Sequence, residues 1–233
     1  MIRMEGVKKV YRNGLLAMEA LSDITLRVKP GEFVSIMGPS GSGKTTFLNV
    51  AGLLDSFEGG QYVLDGIDVK ALGDRALARL RNERIGFVFQ SFNLIPDLDV
   101  FENIELPLRY RRLDSAERTR RVERALEQVE LTARRHHLPG QLSGGQQQRV
   151  AIARALAPEP RLILADEPTG NLDSMMARQI MDLLDRVNAS GATIVMVTHS
   201  AELAARAHRK LHVLDGRVID PWVRRHHPVA PAS

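Results

Sequence analysis

The sequence predicts an α/β protein with a mixed, partly parallel β core, an antiparallel β subdomain in its first third and an inserted helical subdomain. Three observations carry this. Strand-like runs in the first third alternate apolar with polar residues between turn residues. Two buried-strand runs, Leu162–Ala165 and Thr193–Thr198, flank a helix-like segment from Ser174 to Val187, the strand–helix–strand rhythm of a parallel sheet. Between them in character, the stretch from about Asp97 to Leu156 holds several helical patterns and few strand signals.

In chain order, Ile24, Leu26 and Val28 share one face before Lys29-Pro30-Gly31 turns the chain. Phe33–Met37 is apolar except for one serine, which suits a strand buried on both faces, and Gly38 breaks it. A helix is expected over about Thr45–Leu54. Asp114–Glu130 is the clearest helix, with Val122, Ala125, Leu126 and Val129 as its apolar stripe. The tail from Pro221 has three prolines in 13 residues and is expected to be poorly ordered. Residues 1–220 therefore read as one domain with a helical lobe at about 97–156, followed by a disordered tail, 221–233.

Composition excludes several classes. At 44% hydrophobic and 26% charged residues, the 233-residue chain is neither disordered nor collagen-like. Its longest run without Asp, Glu, Lys or Arg is Val187–Ala201, 15 residues with several polar ones among them, whereas a membrane-spanning helix needs ~20 mostly apolar residues. The N-terminus MIRMEGVKKVY has no apolar core for a secretory signal, so a cytoplasmic location is expected. Without cysteine there is no disulfide, thiolate zinc site or cysteine nucleophile. The net charge of +4 permits an acidic partner without demanding one.

Gly38-Pro39-Ser40-Gly41-Ser42-Gly43-Lys44-Thr45 matches G-x-x-x-x-G-K-[ST] between an expected strand and an expected helix. Glycines let the backbone curl so that N–H groups point at phosphate oxygens, and the following helix adds its positive end. Lys44 supplies a mobile charge for the β- and γ-phosphates, and the Thr45 hydroxyl can ligate Mg²⁺, with Thr46 beside it. A chance match in a chain of this length arises on the order of 1% of the time. Asp166, at the end of the second buried run, is placed to hold Mg²⁺; Glu167, one residue on, can polarise an attacking water, as base or as positioning group. Leu142-Ser143-Gly144-Gly145-Gln146 opens a helix expected over Gln147–Leu156 and forms a second anion site.

These residues together resemble the ATP-binding-cassette family, over nearly the whole chain from about Ile2 to Asp220. The resemblance implies a P-loop NTPase fold of the ABC-cassette type, ATP and Mg²⁺ as ligands, and two cassettes packed head to tail. Ser143 and Gly145 of one copy would then meet the γ-phosphate held by the loop of the other. Tyr11 resembles the aromatic that stacks on adenine, its plain alternative being an edge-strand tyrosine. Gln90 looks like the glutamine that touches Mg²⁺ and the attacking water while its loop abuts the membrane partner. Asn171-Leu172-Asp173 resembles the loop bridging the subunits, and His199 the histidine that contacts the γ-phosphate.

Phe87–Leu108, Asp166–Ser174 and Val195–Ser200 are similar in wording to the branch that includes lipoprotein-releasing and macrolide-export ATPases. That implies an ATPase subunit working with an integral-membrane permease on another polypeptide, at the cytoplasmic side of the inner membrane. Asp99, Asp55–Gly59 and Ser200-Ala201 depart from the branch's usual residues. Two other readings stand beside this one: a permease-linked ATPase that signals in cell division, and a nucleic-acid-associated cassette. Nine arginines lie between Arg109 and Arg135, but Glu117, Glu123, Glu127 and Glu130 are interspersed, which favours a solvated helix face over a phosphate track. No nucleic acid is expected as a partner.

Overall fold

The computed structural model describes residues 1–14 and 16–219; the tail expected to be disordered lies outside the described residues. The chain forms two compact units, one from Met1–Leu72 with Val195 onward, the other from Gly73–Ile194.

The first unit opens with β1 (Ile2–Asn13) and β2 (Leu16–Val28), paired antiparallel from Ile2↔Val28 to Asn13↔Leu16. Ile24, Leu26 and Val28 are buried together, as a period of two requires. Gly31, at φ 73°, turns the chain into β3 (Phe33–Met37), whose first four residues are fully buried. Next come α1 (Lys44–Ala51), β4 (Gly59–Leu64) antiparallel to β1, and β5 (Ile67–Asp68) antiparallel to β4. α1 is shorter than the sequence suggests. Gly52 caps it and Leu53 takes φ 58°, a left-handed value that no helix continues through.

In the second unit, α2 (Asp74–Arg84) leads into β6 (Ile85–Phe89). α3 (Val100–Glu105), α4 (Ser115–Gln128) and α5 (Gly144–Leu156) follow, with one 3₁₀ turn between the first pair and two between the second. Asp99 caps α3 through a reciprocal box with Glu102, a task its short oxygen-bearing side chain performs as threonine would. Asp114 caps α4, whose Val122, Ala125 and Leu126 are buried as expected. β7 (Leu162–Asp166) pairs parallel with β6, and α6 (Ser174–Ala189) runs on to β8 (Thr193–Val197).

Back in the first unit, α7 (Ala201–Ala204) precedes β9 (Arg209–Leu214) and β10 (Arg217–Ile219). The strand order there is β5-β4-β1-β2-β10-β9-β3. β3 runs parallel to β9, and β10 parallel to β2 but antiparallel to β9, so antiparallel and parallel pairings meet in one sheet. This mixture is what the sequence predicts for the β core.

Tyr62 is fully buried in the first unit and donates its hydroxyl to the Ala51 carbonyl at 2.6 Å. Tyr62→Phe leaves that carbonyl unpaired, so urea unfolding of the variant should show a stability loss of about 1–3 kcal/mol at unchanged m.

Candidate functional site

The phosphate loop belongs to the first unit. β3 delivers the chain to Gly38, and Gly41 and Gly43 take φ of 77° and 100° before α1 begins. A Cβ on Gly43 would stand 2.6 Å from the Ala20 carbonyl oxygen, so both conformation and space require glycine there. The first bond of α1 runs from Phe47 N–H to Gly43 O at 2.8 Å, which leaves the N–H groups of Lys44, Thr45 and Thr46 without partners in the helix. No acid stands in its first turn. Such an end favours an anion.

Lys44 Nζ folds over the loop, donating to the Gly38 and Pro39 carbonyls at 2.9 and 2.7 Å. Ser42 is buried and its Oγ has no hydrogen-bond partner, an orphaned hydroxyl beside exposed Pro39, Ser40 and Gly41. Unpaired donors, a lysine and an exposed Thr45 hydroxyl fit a nucleotide's phosphates.

Tyr11, also in the first unit, is 37% exposed and anchored. Its hydroxyl donates to Asp55 Oδ2 at 2.7 Å, while Lys9 Nζ pairs with Asp55 Oδ1 at 2.7 Å and lies 5.0 Å from the Tyr11 ring centroid. Val10 N–H donates to Glu58 Oε2 at 2.8 Å. The Asp55–Gly59 segment that departs from the family's usual turn thus fixes the strand edge bearing Tyr11. Burial acts to raise the Asp55 pKa, but hydrogen bonds from Lys9 and Tyr11 hold it below the ordinary aspartate value. Burial acts to lower Lys9, and Asp55 outweighs it and raises the ammonium's pKa. Burial and then Asp55 raise the Tyr11 phenol. His199 is exposed just past β8, where Thr198 N–H bonds the Ile36 carbonyl at 3.1 Å; Ser200 caps α7, which accounts for serine at that departure.

The second unit carries the acidic residues and the Ser-Gly-Gly segment. Asp166 ends β7, and Glu167 follows at φ 46°, a strained conformation for a non-glycine residue and one concentrated at functional sites. Both are half-buried. Ser143 caps α5 in a box with Gln146: Oγ accepts from Gln146 N–H at 3.3 Å, and Gln146 Oε1 accepts from Ser143 N–H at 3.0 Å. α5 therefore starts at Gly144, three residues before the sequence suggests. Ser143, Gly145 and Gln146 line a cleft of about 340 Å³ together with Glu130, Arg149 and Met176. Asp173 caps α6, accepting from the Met175 and Met176 N–H groups at 3.0 and 2.9 Å.

Gln90 stands just past β6 and exchanges hydrogen bonds with Asn171. The loop after it contains Phe92 and Asn93 at φ 59° and 50°, and Arg154 of α5 donates to both of their carbonyls at 2.7 and 2.5 Å. Burial lowers the Arg154 pKa. Gln148, fully buried on the same helix, donates to the Pro168 carbonyl at 2.5 Å. Sequence reasoning missed Arg154 and Gln148, because nothing in their local wording separates them from surface polar residues, and it marked Asp55 only as a departure from the branch. Thr45, Gln90 and Asp166 are hard oxygen donors, the type Mg²⁺ takes when one or two carboxylates work with substrate phosphates. They fit that ion.

Comparison with known proteins agrees with the geometry. Residues 21–170 match the family model described as ABC transporter. The chain is 50% identical over 219 residues to the uncharacterised ABC transporter ATP-binding protein YknY of Bacillus subtilis, covering 94% of this chain and 95% of that one. It is 48% identical to the macrolide export ATP-binding/permease protein MacB of Brucella melitensis over 97% of this chain, which spans 35% of that relative's length. The dimeric post-hydrolysis structure of the ATP-binding cassette MJ0796 bound to ADP and Pi superposes with a TM-score of 0.85 at 47% identity, over 94% of this chain and 96% of that one.

The Asp55 contacts generate a pH dependence. Its carboxylate has a lowered pKa, so its stabilising contribution is complete above the ordinary aspartate range and is lost as pH falls through the lowered value. The stability difference between wild type and Asp55→Asn should therefore be constant near neutrality and close in acid, read by urea unfolding at a series of pH values.

Proposed function

The chain belongs to the ABC transporter family as an ATP-binding, ATP-hydrolysing subunit, and from that premise we propose that it powers a separate integral-membrane permease of the lipoprotein-release or macrolide, peptide or lipid export type. The phosphate loop carries the ATP part of this reading: unpartnered N–H groups, Lys44 and the Thr45 hydroxyl meet where a buried strand hands over to a helix. Residues 1–220 act as one cassette with the helical lobe at about 97–156.

In this proposal Gly38–Thr46 cradle the phosphates, Lys44 neutralises them, Tyr11 stacks on adenine and His199 contacts the γ-phosphate. Thr45, Gln90 and Asp166 hold Mg²⁺, which when bound offsets charge on the β- and γ-phosphates. Glu167 orients or deprotonates the attacking water. Ser143, Gly144, Gly145, Gln146 and Asp173 serve the nucleotide of a second copy, in a head-to-tail homodimer that closes on ATP and opens on hydrolysis. The dimeric MJ0796 cassette, solved bound to ADP and Pi, supports that assembly.

The permease partner is proposed from the export branch, where MacB is described as an ATP-binding/permease protein. No helix among the described residues is long and apolar enough to cross a membrane. A peripheral place on the cytoplasmic face of the inner membrane follows from a permease partner. The arginine-rich helix also supports this reading over a nucleic-acid one. Arg120 and Arg121 pair with Glu117, Arg121 and Arg124 with Glu159, and Arg109 and Arg118 with Glu105.

Two variants test the ATP site. Lys44→Ala should lose nucleotide binding in a fluorescent-nucleotide titration, and unchanged affinity contradicts the loop's assignment. Glu167→Gln should bind ATP yet stall turnover and accumulate as a dimer in light scattering; a monomer at saturating ATP contradicts the two-copy mechanism. Purifying tagged Glu167→Gln from native membranes in mild detergent should recover the permease, identified by mass spectrometry, and recovery with ribosomes or nucleic acid instead contradicts the transport role.

A further inference from the structure

The Gln90 carboxamide has two different ends, and only its oxygen suits a hard cation. Gln90 Nε2 donates to Asn171 Oδ1 at 3.1 Å, and Asn171 Nδ2 donates to the Gln90 backbone carbonyl at 3.0 Å. This two-way exchange fixes which end of the side chain is used up. The Nε2 end is taken, and Oε1 has no hydrogen bond among the described residues. With Asn171 absent the amide is free to turn over.

Both sides of the exchange are held. Asn171 sits in a tight turn between Glu167 and α6, where Gly170 N–H bonds the Glu167 carbonyl at 2.9 Å and Leu172 N–H bonds the Thr169 carbonyl at 3.1 Å. Gln90 begins the loop whose Phe92 and Asn93 carbonyls are gripped by Arg154. Gly170 provides the space: a Cβ there would stand 2.7 Å from Gln90 Nε2 and 3.0 Å from its Cδ, and the residue's φ lies outside the left-handed region, so glycine answers to space and not to backbone conformation. A residue without a side chain is thus placed where the Gln90 amide lies.

We propose that Asn171, with room made by Gly170, is a positioning residue that presents the Gln90 oxygen, and not its NH₂, as a ligand to the nucleotide's divalent cation. This deepens the ATP-site assignment and rests on it. Hydrogen bonds to a metal ligand commonly change metal affinity by about 10–100-fold; for an exposed pair such as this, roughly threefold to tenfold is expected.

The test is Mn²⁺ affinity by electron paramagnetic resonance, using the full chain with a non-hydrolysable ATP analogue, independent of turnover. Asn171→Ala and Gly170→Ala should each weaken Mn²⁺ binding while leaving the metal-free affinity for the analogue unchanged. The first should remove the partner and the second should push the amide out of place. In a Gln90→Ala background both effects should vanish, because the amide they position is gone. Wild-type affinity in Asn171→Ala, or a loss that persists undiminished with Gln90→Ala, overturns the positioning role while leaving the ATP site standing. No analogue-dependent Mn²⁺ signal in wild type overturns both.

Discussion

The chain must pass from a fully buried strand into a helix while keeping the N–H groups of the junction unpaired, and the nucleotide chemistry depends on that junction. An unsatisfied polar group is costly when buried, so the junction has to be held open by its surroundings. Gly43 is pressed against the Ala20 carbonyl and Gly38 against the Val213 carbonyl, so strands β2 and β9 fix the curl from outside. Lys44 covers the loop's carbonyls with its ammonium. What is left facing outward is a set of donors without acceptors, the complement of a polyphosphate.

In the second unit α5 plays the equivalent part. Its N-terminus is organised by the reciprocal Ser143–Gln146 box, and buried Gln148 and half-buried Arg154 reach out to two loops. Gln148 holds the Pro168 carbonyl just after Glu167, and Arg154 holds the loop just after Gln90. A helix that is capped at one end by Ser143 and restrains both loops along its length ties the Ser143–Gln146 turn and the surroundings of Gln90 and Glu167 to one rigid element. Left-handed backbone at Phe92, Asn93 and Glu167 is tolerated because these contacts over-determine it.

The parts of this arrangement that were legible in the sequence are contiguous ones. The phosphate loop, the strand ending in Asp166-Glu167 and the Leu142–Gln146 segment each announce themselves by residue type and spacing. β3, β7, β8 and α6 were readable for a related reason, since burial on one or both faces leaves a local period. α2 was not, because Leu80 is its one buried residue and no apolar stripe runs along it. β10 has only three residues, β9 buries only Leu211 and Val213 among polar neighbours, and their pairing with distant β2 and β3 leaves no local mark. Gly144 and Gly145 hid the start of α5, because glycine is a poor helix former and only the cap with Gln146 rescues the first turn. The Lys9–Asp55–Tyr11 cluster and the Gln90–Asn171 exchange join residues 44 to 81 positions apart. Contacts of that range exist only once the chain has folded.

In the proposed homodimer one chain holds two incomplete halves of an ATPase, each completed by a second copy. The most direct measurement is the rate of ATP hydrolysis per molecule as purified protein is diluted at saturating Mg²⁺ and ATP. Completion by a second copy predicts that the specific rate falls in proportion to protein concentration at the low end, so that the total rate is second order in protein there. A specific rate that stays constant down to concentrations where light scattering finds only monomer would contradict it.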